Sequence, residues 1–146
     1  MTDPVAAARP LRALWGALTA GGLTALAALT ALGIVQSPPS PNLADQAFYV
    51  CAIYGVVALG AAFALLRRMQ TRVANTPSDA AAVATIRGHG VAALAAVESS
   101  TVLAGAVVFL TGNVLAVAFG IPLVAFAAIT WPTEERVAGW LALRRR

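Results

Sequence analysis

Four apolar stretches, at about residues 14–35, 47–66, 91–110 and 114–131, divide the chain, and its polar positions gather between and beyond them. At about 1.5 Å per residue the first three reach roughly 30 Å, the thickness of a bilayer's hydrocarbon core, and the fourth falls a little short. Trp131 extends that fourth stretch to the interface. The pattern predicts an all-α integral membrane four-helix bundle that forms a single transmembrane domain over residues 1–146. Arg9 and Arg12 precede the first stretch, as they would in a signal peptide. Its apolar core is longer than the usual signal core and no A-x-A cleavage pattern closes it, so it reads as a retained helix.

The connections carry their own chemistry. Gln36-Ser-Pro-Pro-Ser-Pro-Asn42 cannot be helical, because each proline removes a donor and holds its predecessor extended. Asn42 then stands three residues before Asp45, where it could cap the second helix. In the connection 67–88, Thr76-Pro77-Ser78-Asp79 offers a capping hydroxyl, a proline and an acid, so the third helix is predicted to start near Pro77, well before the apolar stretch. Such a helix, continued to Leu110, would be about 50 Å long. Thr111-Gly112-Asn113 is turn chemistry of minimal length, which predicts a tight antiparallel hairpin between the third and fourth helices. Gly120-Ile121-Pro122 predicts a kink in the fourth.

The arginines orient the bundle. Arg9 and Arg12 precede the first stretch, Arg67, Arg68, Arg72 and Arg87 lie between the second and third, and Arg136, Arg144, Arg145 and Arg146 follow the fourth. The connections 36–46 and 111–113 hold no basic residue, so the positive-inside rule predicts both termini and the long middle connection in the cytoplasm. After Trp131-Pro132, Thr133 can cap a short helix opening on Glu134 and Glu135. On it Val137, Trp140 and Leu141 share one face. The tail 133–146 therefore reads as a short interfacial C-terminal helix, anchored by Trp131 and Trp140 and held to anionic lipid by Arg144, Arg145 and Arg146. The alternative for this tail is a docking segment for a partner protein.

Composition sharpens this picture. Hydrophobic residues make up 60% of the chain and charged residues 11%, against about a quarter charged in soluble domains. The net charge of +4 would fit nucleic acid, but the arginines cluster at the ends of apolar stretches, where topology explains them, and no nucleic acid is expected. Basic residues that are all arginine, with abundant alanine, point to a GC-rich bacterial genome and hence to the inner (plasma) membrane as the location.

One acid breaks the segregation of charge. Glu98 stands inside the third stretch, about 10 Å from its Val91 end, and an ionisable group at membrane depth is a functional candidate by default. Desolvation there favours the protonated form. Ser99 and Thr101, with Ser100 between them, could hydrogen-bond a proton or cation site. The structural alternative is a protonated acid bonded to a backbone carbonyl or to Tyr54. Small residues recur every fourth position at Ala13, Ala17, Gly21 and Ala25, and again at Gly88, Ala92, Ala96, Ser100 and Ala104. Such ladders let helix backbones approach in lipid. If the second ladder is the tight contact, Glu98 lies on the opposite side of its helix.

The second stretch, a connection bearing Arg67, Arg68 and Pro77, and a helix reading Ala93-Leu94-Ala95-Ala96-Val97-Glu98 with Gly105 beyond resemble the hairpin of the rotor-ring proteolipid (c) subunits of rotary ATPases. The likeness covers roughly residues 47–110. It implies an ion-carrying carboxylate, which maps onto Glu98. The second stretch lacks that family's glycine repeat, the connection is longer, and a further helix flanks each end.

Other chemistries find little footing. Cys51 is the one cysteine and His89 the one histidine, so a disulfide, a Cys-rich metal site and a bis-His haem are each impossible within one chain. No cofactor or metal is called for. His89 lies about two and a half turns from Glu98 and could serve a proton relay only through water. No phosphate loop, nucleophile elbow or paired carboxylate is present, and the chain is not expected to be an enzyme. Two function classes stay open. One is a proton- or cation-linked membrane protein, alone or as a homo-oligomer; the other is a structural or accessory subunit that docks a membrane-complex partner through its arginine-rich face.

Overall fold

The computed structural model describes residues 3–145, which are helical with no strand among them. Five α-helices follow one another: α1 (Pro4–Val35), α2 (Ala44–Ala74), α3 (Asp79–Thr111), α4 (Gly120–Thr130) and α5 (Glu134–Ala142). The first three are long and apolar enough to cross a membrane. Of these α3 is central: 50% of its apolar window is buried inside the protein, against 17% in α1 and in α2. Helices α1 and α2 both rest on α3 and scarcely touch each other.

Capping fixes the ends. Asp3 accepts from the Val5 N–H at 3.0 Å, satisfying a donor that the first turn leaves without a partner. Pro10 lies inside α1 at an exposed position, where water can take the carbonyl its missing N–H would have engaged. Helix α3 starts at Asp79 rather than Pro77, because Ser78 is its cap and accepts from the Ala81 N–H at 3.2 Å. The Thr76 hydroxyl instead donates to the Val73 carbonyl at the end of α2. Most of the connection 67–88 is thus helix, with only a turn at residues 75–78. Asn42 does not cap α2: a 3₁₀ turn, Pro41–Leu43, leads into that helix, and its cap position is Leu43. The Ser40 N–H donates to the Leu110 carbonyl at 2.9 Å, pinning the proline-rich connection across the end of α3.

Helices α1 and α3 run parallel, and their contacts advance together along both chains: Trp15 meets Gly90, Gly22 meets Glu98, Leu29 meets Gly105, and Gly33 meets Val108 and Phe109. The α1 seam is formed by Ala8, Leu11, Trp15, Gly22, Leu26 and Gly33, all buried. Ala13, Ala17 and Gly21 of the every-fourth ladder are exposed. A four-residue step overshoots a helical turn by about 40°, so such a ladder winds out of any contact, whereas alternating steps of three and four stay in it. The α3 ladder shows the same drift, from exposed Gly88 and Ala92 to buried Ser100 and Ala104.

The hairpin turn after α3 closes on Gly112, which has φ 73° and donates to the Val108 carbonyl at 2.8 Å, a left-handed cap that suits glycine. The fourth stretch then opens as a 3₁₀ helix, Val114–Phe119, before α4 begins at Gly120. Pro122 accounts for the change. It cannot donate to the Ala118 carbonyl, and just before it the Gly120 N–H turns to the Val117 carbonyl, in the i→i−3 pattern of a 3₁₀ turn, as well as to that of Ala118. In place of a kink inside one helix there is a switch of helix type. With a rise of about 2.0 Å per residue in the 3₁₀ part, the whole segment spans about 28 Å.

Between α4 and α5 the axis bends by 69°. Thr133 caps α5, accepting from the Arg136 N–H at 3.2 Å. The apolar face of α5 is occupied by protein rather than by lipid: Val137 and Leu141 are buried in one core with Ala8, Leu11, Met69, Val73 and Ile86, and Trp140 packs against it.

Candidate functional site

Glu98 lies in the seam between α1 and α3. A Cβ added at Gly22 would stand 2.9 Å from its Cγ and 2.8 Å from Leu123 Cδ2, and one added at Gly21 would stand 3.2 Å from its Oε1. The acid's aliphatic stem therefore fills the notch that Gly22 leaves between α1 and α4. Its carboxyl reaches past that notch to the exposed Gly21, at the rim of the contact. The every-fourth ladder predicts Glu98 on the far side of α3 from the tight contact. It sits within that contact, because the contact follows the seam of threes and fours. The neighbours that the ladder argument missed are Gly22 and Leu123, and the signal for them was the paired glycine in the middle of the first apolar stretch.

The hydroxyls that follow Glu98 do not converge on it. Ser99 Oγ donates to the Ala96 carbonyl at 2.7 Å and accepts from the Tyr54 hydroxyl at 3.0 Å, facing α2. Ser100 Oγ and Thr101 Oγ1 both donate to the Val97 carbonyl, at 2.7 and 3.3 Å. Successive residues turn by about 100°, so Ser99 faces α2 rather than the Glu98 seam, and Thr101, though on the Glu98 side, spends its hydroxyl on its own helix. Tyr54, the side-chain partner named for a structural acid, is engaged with Ser99 instead. Among the described residues the Glu98 carboxyl takes part in no hydrogen bond or ion pair. No three His, Cys, Asp or Glu side chains among them gather to hold a metal.

His89 stands apart from the acid. Its Nδ1 bonds the Thr85 carbonyl at 3.0 Å; a carbonyl only accepts, so Nδ1 carries a proton. Nine residues separate the two on α3, which places them about 13 Å apart along the axis on opposite faces.

Of the sequence-predicted interface residues, those described have protein partners. Arg144 pairs with Asp79 at 2.7 Å and donates to the Pro77 carbonyl at 3.0 Å, tying the end of α5 to the turn before α3. The bend at Trp131-Pro132 frees two carbonyls. Arg136 donates to that of Trp131 at 2.7 Å, and Arg12 donates to that of Pro132 at 3.1 Å while pairing with Glu134 at 3.4 Å. Trp131 itself is 37% exposed and lies over Gly16. The side chain of Arg145 and the whole of Arg146 lie outside the described residues.

No protein-family model, curated protein or solved structure matches the chain.

Proposed function

We propose that this chain is a small multi-pass membrane protein in which Glu98 takes up and releases a proton from within the bilayer. The observation that carries the reading is the placement of its carboxyl: the residue is partly buried in the α1–α3 seam, and its carboxyl ends at the rim beside Gly21, bonded to no other described residue. An acid retained only to join helices would be bonded across the contact, since an unmet buried polar group costs about 1–3 kcal/mol. A metal cation would need several convergent oxygens, and the nearby hydroxyls are committed to their own helix and to Tyr54. One carboxyl alone suits a proton. The resemblance to rotor-ring hairpins points to the same residue.

The topology belongs to the same proposal. Four spans place the termini and the arginine-bearing ends of α1, α2 and α3 in the cytoplasm of a bacterial cell, in the inner membrane. Helix α5 caps the bundle there, and the chain acts without catalysis or a cofactor.

The test is proton flux into vesicles that hold the purified chain, with modification by a hydrophobic carbodiimide, which attacks a protonated carboxyl reached from lipid. The parent should conduct and be labelled. Glu98→Gln keeps the shape and loses the ionisation, so it should fold while losing both signals. Flux from the parent no greater than from empty vesicles, or equal flux from Glu98→Gln, defeats the reading.

A further inference from the structure

The arginines at the end of α2 form a cluster left without partners among the described residues, unlike those that tie the helices together. Arg12, Arg136 and Arg144 each bond a carboxylate or a carbonyl of the protein. Arg67, Arg68 and Arg72 are exposed and pair with no acid among the described residues. With Thr71 they line a depression of about 390 Å³ on the outer side of α2.

Their position on the helix says what they face. Val50, Ile53, Val57, Gly60 and Ala64 recur in alternating steps of three and four, and all except Gly60 with its bare backbone present an exposed apolar side chain. The same steps continue to Arg67 and Thr71, so the arginines end the stripe that α2 turns toward hydrocarbon. A second copy is a poor occupant of this stripe, because a parallel two-fold pair would bring the arginines of both copies face to face. A molecule with an apolar chain and a compact anion matches both parts. Guanidinium groups bind phosphate oxygens in bidentate fashion.

We infer that Arg67, Arg68 and Arg72 form a headgroup site for an anionic phospholipid, whose acyl chain lies along Val57 and Ala64 of α2. The site is separate from Glu98. Its location in the inner leaflet rests on the orientation proposed above, whereas lipid binding in detergent does not.

The experiment titrates phosphatidylglycerol, phosphatidylcholine or inorganic phosphate into the full chain in a non-ionic detergent, counting bound lipid by native mass spectrometry and following thermal unfolding in parallel. Phosphatidylglycerol should bind and stabilise, and the other two should not. At about 1 kcal/mol for each arginine near an anionic surface, the triple variant Arg67→Gln, Arg68→Gln, Arg72→Gln should bind it about a hundred-fold more weakly. The three single Gln variants, which disturb folding and insertion least, should each lose about five-fold. The triple Lys variant keeps the charge that sets orientation and should fall between parent and triple Gln. Arg9→Gln combined with Arg87→Gln removes two other exposed arginines and should leave affinity intact. Equal binding of phosphatidylcholine, full stabilisation by phosphate alone, undiminished affinity in the Gln variants, or an equal loss in the Arg9 and Arg87 control would overturn the assignment.

Discussion

Two glycines two residues apart on α3 should answer the same substitution with opposite signs. Gly88 is exposed, and a Cβ added to it meets nothing within 4 Å. Gly88→Ala should therefore stabilise by up to about 1 kcal/mol, the ordinary preference of a helix for alanine. At Gly90 the added Cβ would run into Cη2 of the six-membered ring of Trp15 and stand 2.8 Å from Cζ2. That indole cannot yield easily. It is 0% exposed, and its Nε1 donates to Thr130 Oγ1 at 3.2 Å. Overpacking of this kind costs about 1–3 kcal/mol, and a displaced indole loses a hydrogen bond worth about 1 kcal/mol. After the helix preference is subtracted, Gly90→Ala should destabilise by about 1–3 kcal/mol. Unfolding by SDS, followed by far-UV circular dichroism in mixed micelles, reads both variants against the parent. The contact can be tested further by shortening the ring. Trp15→Phe withdraws the outer ring atoms, so in that background Gly90→Ala should cost less than about 1 kcal/mol, a coupling expected only of residues in contact. If Gly90→Ala proves as stable as Gly88→Ala, or equally costly in both backgrounds, the parallel seating of α1 on α3 is wrong.

Three further outcomes are expected. With the proposed orientation, cysteine placed at Ser40 should react with an impermeant thiol reagent from outside the cell and cysteine at Ala74 should not; equal labelling removes the orientation. Arg144→Gln breaks the half-buried link to Asp79 and the Pro77 carbonyl, so it should cost about 1–3 kcal/mol and speed amide exchange in α5; unchanged exchange there means that α5 is held by its apolar face alone. Gly112→Ala combines a φ of 73° with a Cβ 2.8 Å from Pro38 Cγ, so it should destabilise by about 1–3 kcal/mol in a thermal unfolding assay, and a neutral result would refute the left-handed turn.

The helices were legible in the chain because apolar length and charge segregation are large signals that no tertiary contact needs to supply. The Thr133 cap and the Gly112 turn were legible as well, since each depends only on residues beside it. The true start of α3 was hidden by two hydroxyls, Thr76 and Ser78, that compete for one role. The seam between α1 and α3 was hidden by alanine, which is so frequent here that ladders arise off the contact as readily as on it. Ser99 and Thr101 follow Glu98 closely in sequence, and a helix turns that closeness into divergence. The use of Arg144 depended on Asp79, distant in the chain, and only the folded structure brings the two together.

If the chain is inserted as proposed, parallel neighbours in the membrane bear on how it is made. Helices α1 and α3 point the same way, so α2 is the return stroke between them, and α1 and α2 scarcely touch. During synthesis the first two helices would then leave the translocon with no protein face to share. Trp15 and the glycines behind it would lie against lipid until α3 arrived to receive them. A nascent chain of this design has its exposure to quality-control proteases timed by the delivery of its third helix, and truncation within that helix should be cleared rather than accumulate as a stable two-helix fragment.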